Sequence, residues 1–175
     1  MNTWLRLIRH RWLDASDTRR VVPDDMSERL SRRVSASEAR HTGEVVLCVE
    51  AALPAADVWR SLRSVPLPEV VRERALSWYG RLGVWDTEHN NGVLIYLLLA
   101  EHAIEVVADR ALARCVAPDV WQAMVDRLGH QLRAGLVEEG LTQALEEVSA
   151  LLVAHFPSTE GVERLNELPD CVVRA

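Results

Sequence analysis

The chain has 175 residues, of which 49% are hydrophobic and 26% charged, with a formal net charge of −6. That size and apolar content suit one domain with a core of its own. No stretch of about 18 or more uncharged apolar residues exists to span a bilayer as a helix. The charge is uneven. Residues 1–40 carry nine Arg and six acids, a net of +3, and the remainder carries a net of −9. With no Lys and an acidic body, the chain lacks the basic face that would release counterions from phosphate, so nucleic acid is not an expected partner. Cys48, Cys115 and Cys171 are too few and too widely spaced for a disulfide framework or a zinc site. Arg6, Arg9 and Arg11 interrupt any apolar run at the start, which argues against a signal peptide and for the cytoplasm.

Residues 1–23 read as a basic amphipathic segment and linker. In "MNTWLRLIRHRWL" the apolar Trp4, Ile8 and Trp12 recur at spacing four on one helical face. Two readings stand: packing on the chain's own domain, or peripheral contact of residues 1–13 with an anionic membrane surface such as the inner membrane. The linker ends at Pro23, where Asp24 and Asp25 signal a helix start with a capping oxygen. Met26, Leu30 and Val34 carry the helical period onward, and Gly43 is the expected C-cap.

"EVVLCVEAAL" (44–53) has the length and β-branched content of a strand buried on both faces. "PAADVWRSL" reads as a turn or short helix. From Glu69 to Leu82, Val71, Ala75, Trp78 and Leu82 line one helical face, and Gly83 ends the run. "GVLIYLLLA" and "AIEVVA" are strand-like runs parted only by Glu101 and His102, a spacing that demands an antiparallel hairpin. Pro118 and Asp119 start the next helix, Gly135 and Gly140 mark expected breaks, and "LTQALEEVSALLVAHF" gives a strong final helix stopped by Pro157. Residues 158–175 read as a polar tail. A strand, crossover helix and strand suggest a parallel pair; with the hairpin they predict an α/β fold, an αβα sandwich with a mixed sheet and helices on both faces over residues 24–157.

In such sheets ligands sit where loops leave the strand ends. Asp86, Glu88 and Asn90 alternate ahead of Gly92, a spacing suited to oxygen ligation of a hard cation such as calcium. The EF-hand pattern fails, with Asn91 where its glycine and Leu97 where its glutamate should stand. A solvated turn at Asn90-Asn91-Gly92 is the competing reading. Because hairpin strands run antiparallel, Asp109 is expected beside the 86–91 loop, giving a candidate metal cluster of Asp86, Glu88, Asn90, Asn91 and Asp109. Glu101 and His102, at the other end, form a second candidate cluster, weakened because adjacent extended residues face opposite ways. No nucleophile elbow, P-loop or zinc-protease motif occurs, so no catalytic residue is assigned and enzymatic activity stays open.

Three stretches, "HTGEVVLCVEAALP", "RALSWYGRLGVWDTEHNNGVLIYLLLAEHAIEVVADRAL" and "LVEEGLTQALEEVSALLVAHFP", resemble the TPM-domain family, with "NNGVLI" and its hairpin the most specific part. The likeness covers roughly residues 25–157, and "NELPD" is similar to the tail of the family's short soluble bacterial branch. The resemblance implies an αβα sandwich. It also implies a binding or accessory domain, with calcium as the cofactor and a membrane-associated partner of LemA type. A metal-dependent acid phosphatase and a purely structural interaction domain are the alternatives. Glu101 and His102 stand where many members have Asp-Arg. The missing guanidinium removes a bidentate phosphate grip at that end.

Overall fold

A computed structural model describes residues 10, 13, 15–158, 168–169 and 171–175. Helices α1 (Ala15–Val21) and α2 (Asp24–Glu38) precede strand β1 (Val45–Glu50). Helices α3 (Ala55–Arg63) and α4 (Leu67–Arg81) lead to β2 (Val93–Leu98), which turns through a 3-10 segment (Leu99–Glu101) into β3 (Ala103–Ala108). Helices α5 (Arg110–Cys115), α6 (Pro118–Arg133) and α7 (Val137–His155) follow, and β4 (Val172–Arg174) comes last.

The described strands form a four-stranded sheet in the order β3-β2-β1-β4. β1 pairs in parallel with β2, from Val45↔Val93 to Glu50↔Leu98, and β2 pairs antiparallel with β3, from Val93↔Ala108 to Leu98↔Ala103. Every residue of β1 and β2 is buried. Central strands covered on both faces have to be apolar throughout, which is why "VVLCV" and "VLIYLL" show no alternation. Their side chains nonetheless alternate between two cores. Val45, Leu47, Val49, Val93, Ile95 and Leu97 pack with Leu30, Val34, Met124, Leu128, Leu145 and Leu152 of α2, α6 and α7. Val46, Cys48, Leu94 and Tyr96 pack with Val58, Val70, Val71 and Ala75 of α3 and α4. The chain is thus the expected αβα sandwich with a mixed sheet.

Several local expectations change. Residues 15–21, read as linker, are helical, with Thr18 and Val22 buried. Pro23 is the N-cap of α2 and no side-chain oxygen caps the helix; Asp24 instead accepts from Arg174 at 2.6 Å. α2 ends at Glu38, capped by Ala39, so Gly43 is no helix terminator. It sits where a Cβ would lie 2.5 Å from Leu152 Cδ2 and 2.8 Å from the Asn91 carbonyl, so close approach of α7 and the 86–92 loop requires it. Gly135, at φ +80°, does break the chain between α6 and α7, but Gly140 lies inside α7 against Leu128 and Gln131. The polar C-terminal stretch contributes β4, whose Val172 and Val173 pair in parallel with Leu47 and Cys48. Three strand residues are too few to show a period; the pairing is fixed by the edge of β1 and by Arg174, which donates to the Val22 carbonyl and to Asp24.

Cys48 lies in the core facing α4, and burial, reinforced by the Glu50 carboxylate, pushes its thiol up to about 12. Cys115 and Cys171 are exposed. A disulfide-exchange reagent should therefore modify two thiols quickly in the native protein and the third only after denaturation. Three fast thiols would contradict the placement of Cys48.

Candidate functional site

The hairpin register sets the site. With Val93 opposite Ala108, the loop that precedes β2 and the helix that follows β3 emerge at one end of the sheet. Two backbone links join them: Asp109 N–H donates to the Gly92 carbonyl at 2.8 Å and Ala111 N–H to that of Asn90 at 3.1 Å. Gly92 is indispensable to the approach, since a Cβ there would fall 2.0 Å from the Val84 carbonyl oxygen. Asn90, at φ 51°, takes the left-handed turn that asparagine tolerates better than most residues.

A cleft of about 540 Å³ opens between this loop, α4 and the start of α5. Asp86, Asn90 and Asp109 all line it, together with Arg72, Tyr79 and Arg110. Asp109 is the N-cap of α5, and its Oδ1 accepts from Arg110 N–H at 2.6 Å. The residue is only 7% exposed, and its Oδ2 is buried without a hydrogen-bond partner. The Tyr79 hydroxyl is likewise buried and unbonded. It nonetheless feels Asp109: burial first, then the neighbouring carboxylate, raises the phenol well above its ordinary range. The Asp109 carboxylate and the Tyr79 hydroxyl are thus neighbours at the cleft, and neither Asp109 Oδ2 nor that hydroxyl has a hydrogen-bond partner of good geometry.

Trp85, 55% exposed, and Leu76 give the cleft an apolar rim. Arg72 is fixed by Glu105 at 3.1 Å and by the Val106 carbonyl at 2.9 Å. Arg110 is held loosely, 3.5 Å from Asn90 Oδ1 and 4.0 Å from Asp109 Oδ1.

Not every expected member belongs. Asp86 and Glu88 are both exposed, and Glu88 does not line the cleft. Asn91 is fully buried and turns the other way; its backbone N–H donates to Thr87 Oγ1 at 3.1 Å and its Nδ2 to Thr42 Oγ1 at 3.0 Å, pinning the loop to the chain before β1. The acidic loop is therefore not one five-ligand cage. Among the described residues no group of three or more His, Cys, Asp or Glu side chains is gathered to hold a metal ion.

Glu101 and His102 separate as their adjacency suggested. His102 takes a left-handed conformation at the hairpin turn and is exposed. Glu101 turns inward to His10, Oε1 to Nε2 at 2.7 Å, with both side chains almost wholly buried. Leu53 N–H donates to His10 Nδ1 at 3.0 Å, which places the imidazole proton on Nε2 and makes it the donor to Glu101. The pair ties His10 to the chain after β1 and to the hairpin tip. The remaining residues of the 1–13 amphipathic segment, apart from Leu13, and most of "NELPD" lie outside the described residues.

Sequence reasoning missed two groups. Arg72, Leu76 and Tyr79 follow an i, i+4, i+7 spacing that puts them on one face of α4, a signal available but overshadowed by the apolar Val71–Ala75–Trp78 face. The second group centres on Glu50, at the end of an apolar strand. Arg74 donates to its Oε1 and Oε2 through Nε at 3.1 and 2.9 Å and again through Nη2; Trp78 Nε1 donates at 2.9 Å and the Tyr96 hydroxyl at 2.6 Å. Burial foremost, and then Glu50, raises the Tyr96 phenol, keeping it protonated as a donor. The Glu50 carboxylate has four donors and 4% exposure, so it is a clamp between sheet and α4 rather than a reactive group.

Comparison with known proteins places the chain. The sequence profile of the TPM domain matches residues 15–151. The fold is similar to the NMR structure of BA42 protein from the psychrophilic bacterium Bizionia argentinensis, with a TM-score of 0.72 and 19% identity over 88% of this chain and 95% of that one. No functionally curated protein matches it. No helix among the described residues is long and apolar enough to cross a membrane.

Proposed function

We propose, on the premise that this chain belongs to the TPM-domain family, that it is a binding module whose cleft between the 83–92 loop and α5 takes a hard divalent cation such as calcium. The observation that carries this reading is Asp109, a cleft-lining carboxylate whose Oδ2 is buried without a hydrogen-bond partner. An anionic oxygen out of water with no donor is costly unless a cation or donor supplies the missing interaction. Asp86 and Asn90 line the same cleft with further oxygens, and all-oxygen donors suit calcium better than zinc. Tyr79 holds its proton beside Asp109 on the α4 side. A bound cation supplies positive charge that an anionic ligand or partner surface can share with Arg72 and Arg110.

With two carboxylates rather than four or five, affinity falls at the weak end of the calcium range, a dissociation constant of about 0.1–1 mM. Trp85 on the rim reports occupancy through its fluorescence. Asp109→Asn is the informative variant, because asparagine caps a helix about as well as aspartate but carries no charge. Calcium titration should shift the wild-type signal saturably. Asp109→Asn should keep its melting temperature within a few degrees and lose the response at least tenfold. An identical titration in the variant, or none in the wild type at several millimolar calcium, would remove the reading.

A phosphatase is the second reading, favoured by one observation: Arg72 and Arg110 flank the same cleft, restoring at this end the guanidiniums absent beside Glu101. It lacks an activated nucleophile, since the Tyr79 phenol is held protonated. Hydrolysis of an aryl phosphate that needs divalent cation and disappears in Asp109→Asn would promote it. The membrane-associated partner of LemA type belongs to this reading as the candidate ligand surface, to be sought by co-purification with cation present.

A further inference from the structure

The far end of the sheet carries a second, chemically different cavity of about 600 Å³, well within the size of small-molecule sites. It lies at the carboxyl end of β2, where ligands of open α/β sheets bind. Leu97, Ile104, Leu132 and Val137 supply apolar wall between the sheet, α6 and α7, and α1 closes one side with Val21. The lining is overwhelmingly hydrocarbon, but its polar members are not random. Arg20 and Arg133 are exposed at the solvent edge with His102, against one carboxylate, Asp17, which Arg20 already engages at 2.8 Å. Arg133 makes no hydrogen bond or ion pair with a described residue. In a chain of net charge −6, a hydrocarbon cavity with a locally basic mouth is complementary to one kind of ligand.

We infer that the cavity bounded by α1, α6 and the end of β2 binds a single-chain anionic amphiphile, a long-chain fatty carboxylate, with its hydrocarbon among Leu97, Ile104, Leu132 and Val137 and its carboxylate on Arg133. The site is independent of the Asp109 cleft, which lies at the opposite end of the hairpin. Gly129 lines it from the helix side, where a Cβ would stand 3.4 Å from Ile104 Cδ1 and 3.5 Å from Arg133 Nη1.

The test uses the full chain and straight-chain carboxylates of 8, 10 and 12 carbons below their micelle concentrations, followed by calorimetry and methyl NMR. Binding should saturate at one ligand per chain and tighten about fourfold per added methylene while the cavity fills. Methyl shifts should concentrate at Ile104, Leu132 and Val137, not at Val107 beside Asp109. Arg133→Gln, an exposed substitution, should weaken dodecanoate about tenfold and leave dodecanol unchanged. Asp109→Asn should bind dodecanoate like the wild type. Non-saturating uptake, shifts spread over the surface, or equal effects of Arg133→Gln on acid and alcohol would overturn the assignment. So would preference for a zwitterionic lysolipid over the carboxylate.

Discussion

Glu50→Ala should lower the free energy of unfolding by about 3–5 kcal/mol, read from urea denaturation, because it strands the Arg74 guanidinium at a buried interface and removes the shared acceptor of Trp78 and Tyr96. The side chains of Glu50 and Arg74 are 6% and 12% exposed, so solvent replaces the lost partner only in part. The expected cost comes from breaking one side of the pair, not from the pair's net worth. A Glu50→Met/Arg74→Met double variant should therefore recover a substantial part of it, since two apolar side chains leave no uncompensated charge. If Glu50→Ala cost less than about 1 kcal/mol, the clamp would be a surface ion pair in energetic terms. The clamp also bears on function. It seats α4 on the sheet, and α4 carries Arg72 and Tyr79 into the cleft, so a milder Glu50→Gln should blunt the calcium response even where the protein stays folded.

Gly92→Ala should be the most damaging single-methyl change, at about 3 kcal/mol or more. Its Cβ would enter the Val84 carbonyl oxygen at 2.0 Å, and the obstacle is backbone rather than the yielding tip of a side chain. Either β2 shifts away from the 84–91 loop or the loop lifts. Both break the Gly92 carbonyl's bond from Asp109 N–H and the Asn90 carbonyl's bond from Ala111 N–H. The variant should thus lose stability and the Trp85 calcium signal together. Gly80→Ala is the control: nothing lies within 4 Å of its added methyl, and alanine is the better helix residue, so it should be neutral or slightly stabilising. Equal stability of Gly92→Ala and wild type would mean that the loop does not seat on β2 as described.

Both effects trace to contacts across long sequence separations, and that distinguishes what could be read early from what could not. The central strands were legible because burial on both faces forces continuous apolar runs, and "VVLCV" and "VLIYLL" can be little else. The hairpin was legible because Glu101 and His102 leave no length for a crossover, and antiparallel pairing then put Asp109 beside the 86–91 loop without further information. Side-chain direction within that loop was not. Asn91 and Glu88 share a polar loop with Asp86 and Asn90, yet left-handed Asn90 and the Thr42 contact turn Asn91 away from the cleft.

The layer architecture, the sheet's hairpin and the end of the sheet at which the acidic loop gathers are all written in the order of the amino acids. Those follow from the periods of hydrophobic burial and from connection lengths, which are local properties of the chain. It takes the folded packing to bring Tyr79 and Arg72 to Asp109, Arg74 to Glu50 and His10 to Glu101, and to add residues 172–174 to the sheet. Each is a meeting of polar or short segments far apart along the chain. Such groups carry no periodic signal, and their partners are chosen by geometry and by the cost of leaving a buried charge or backbone group unpaired.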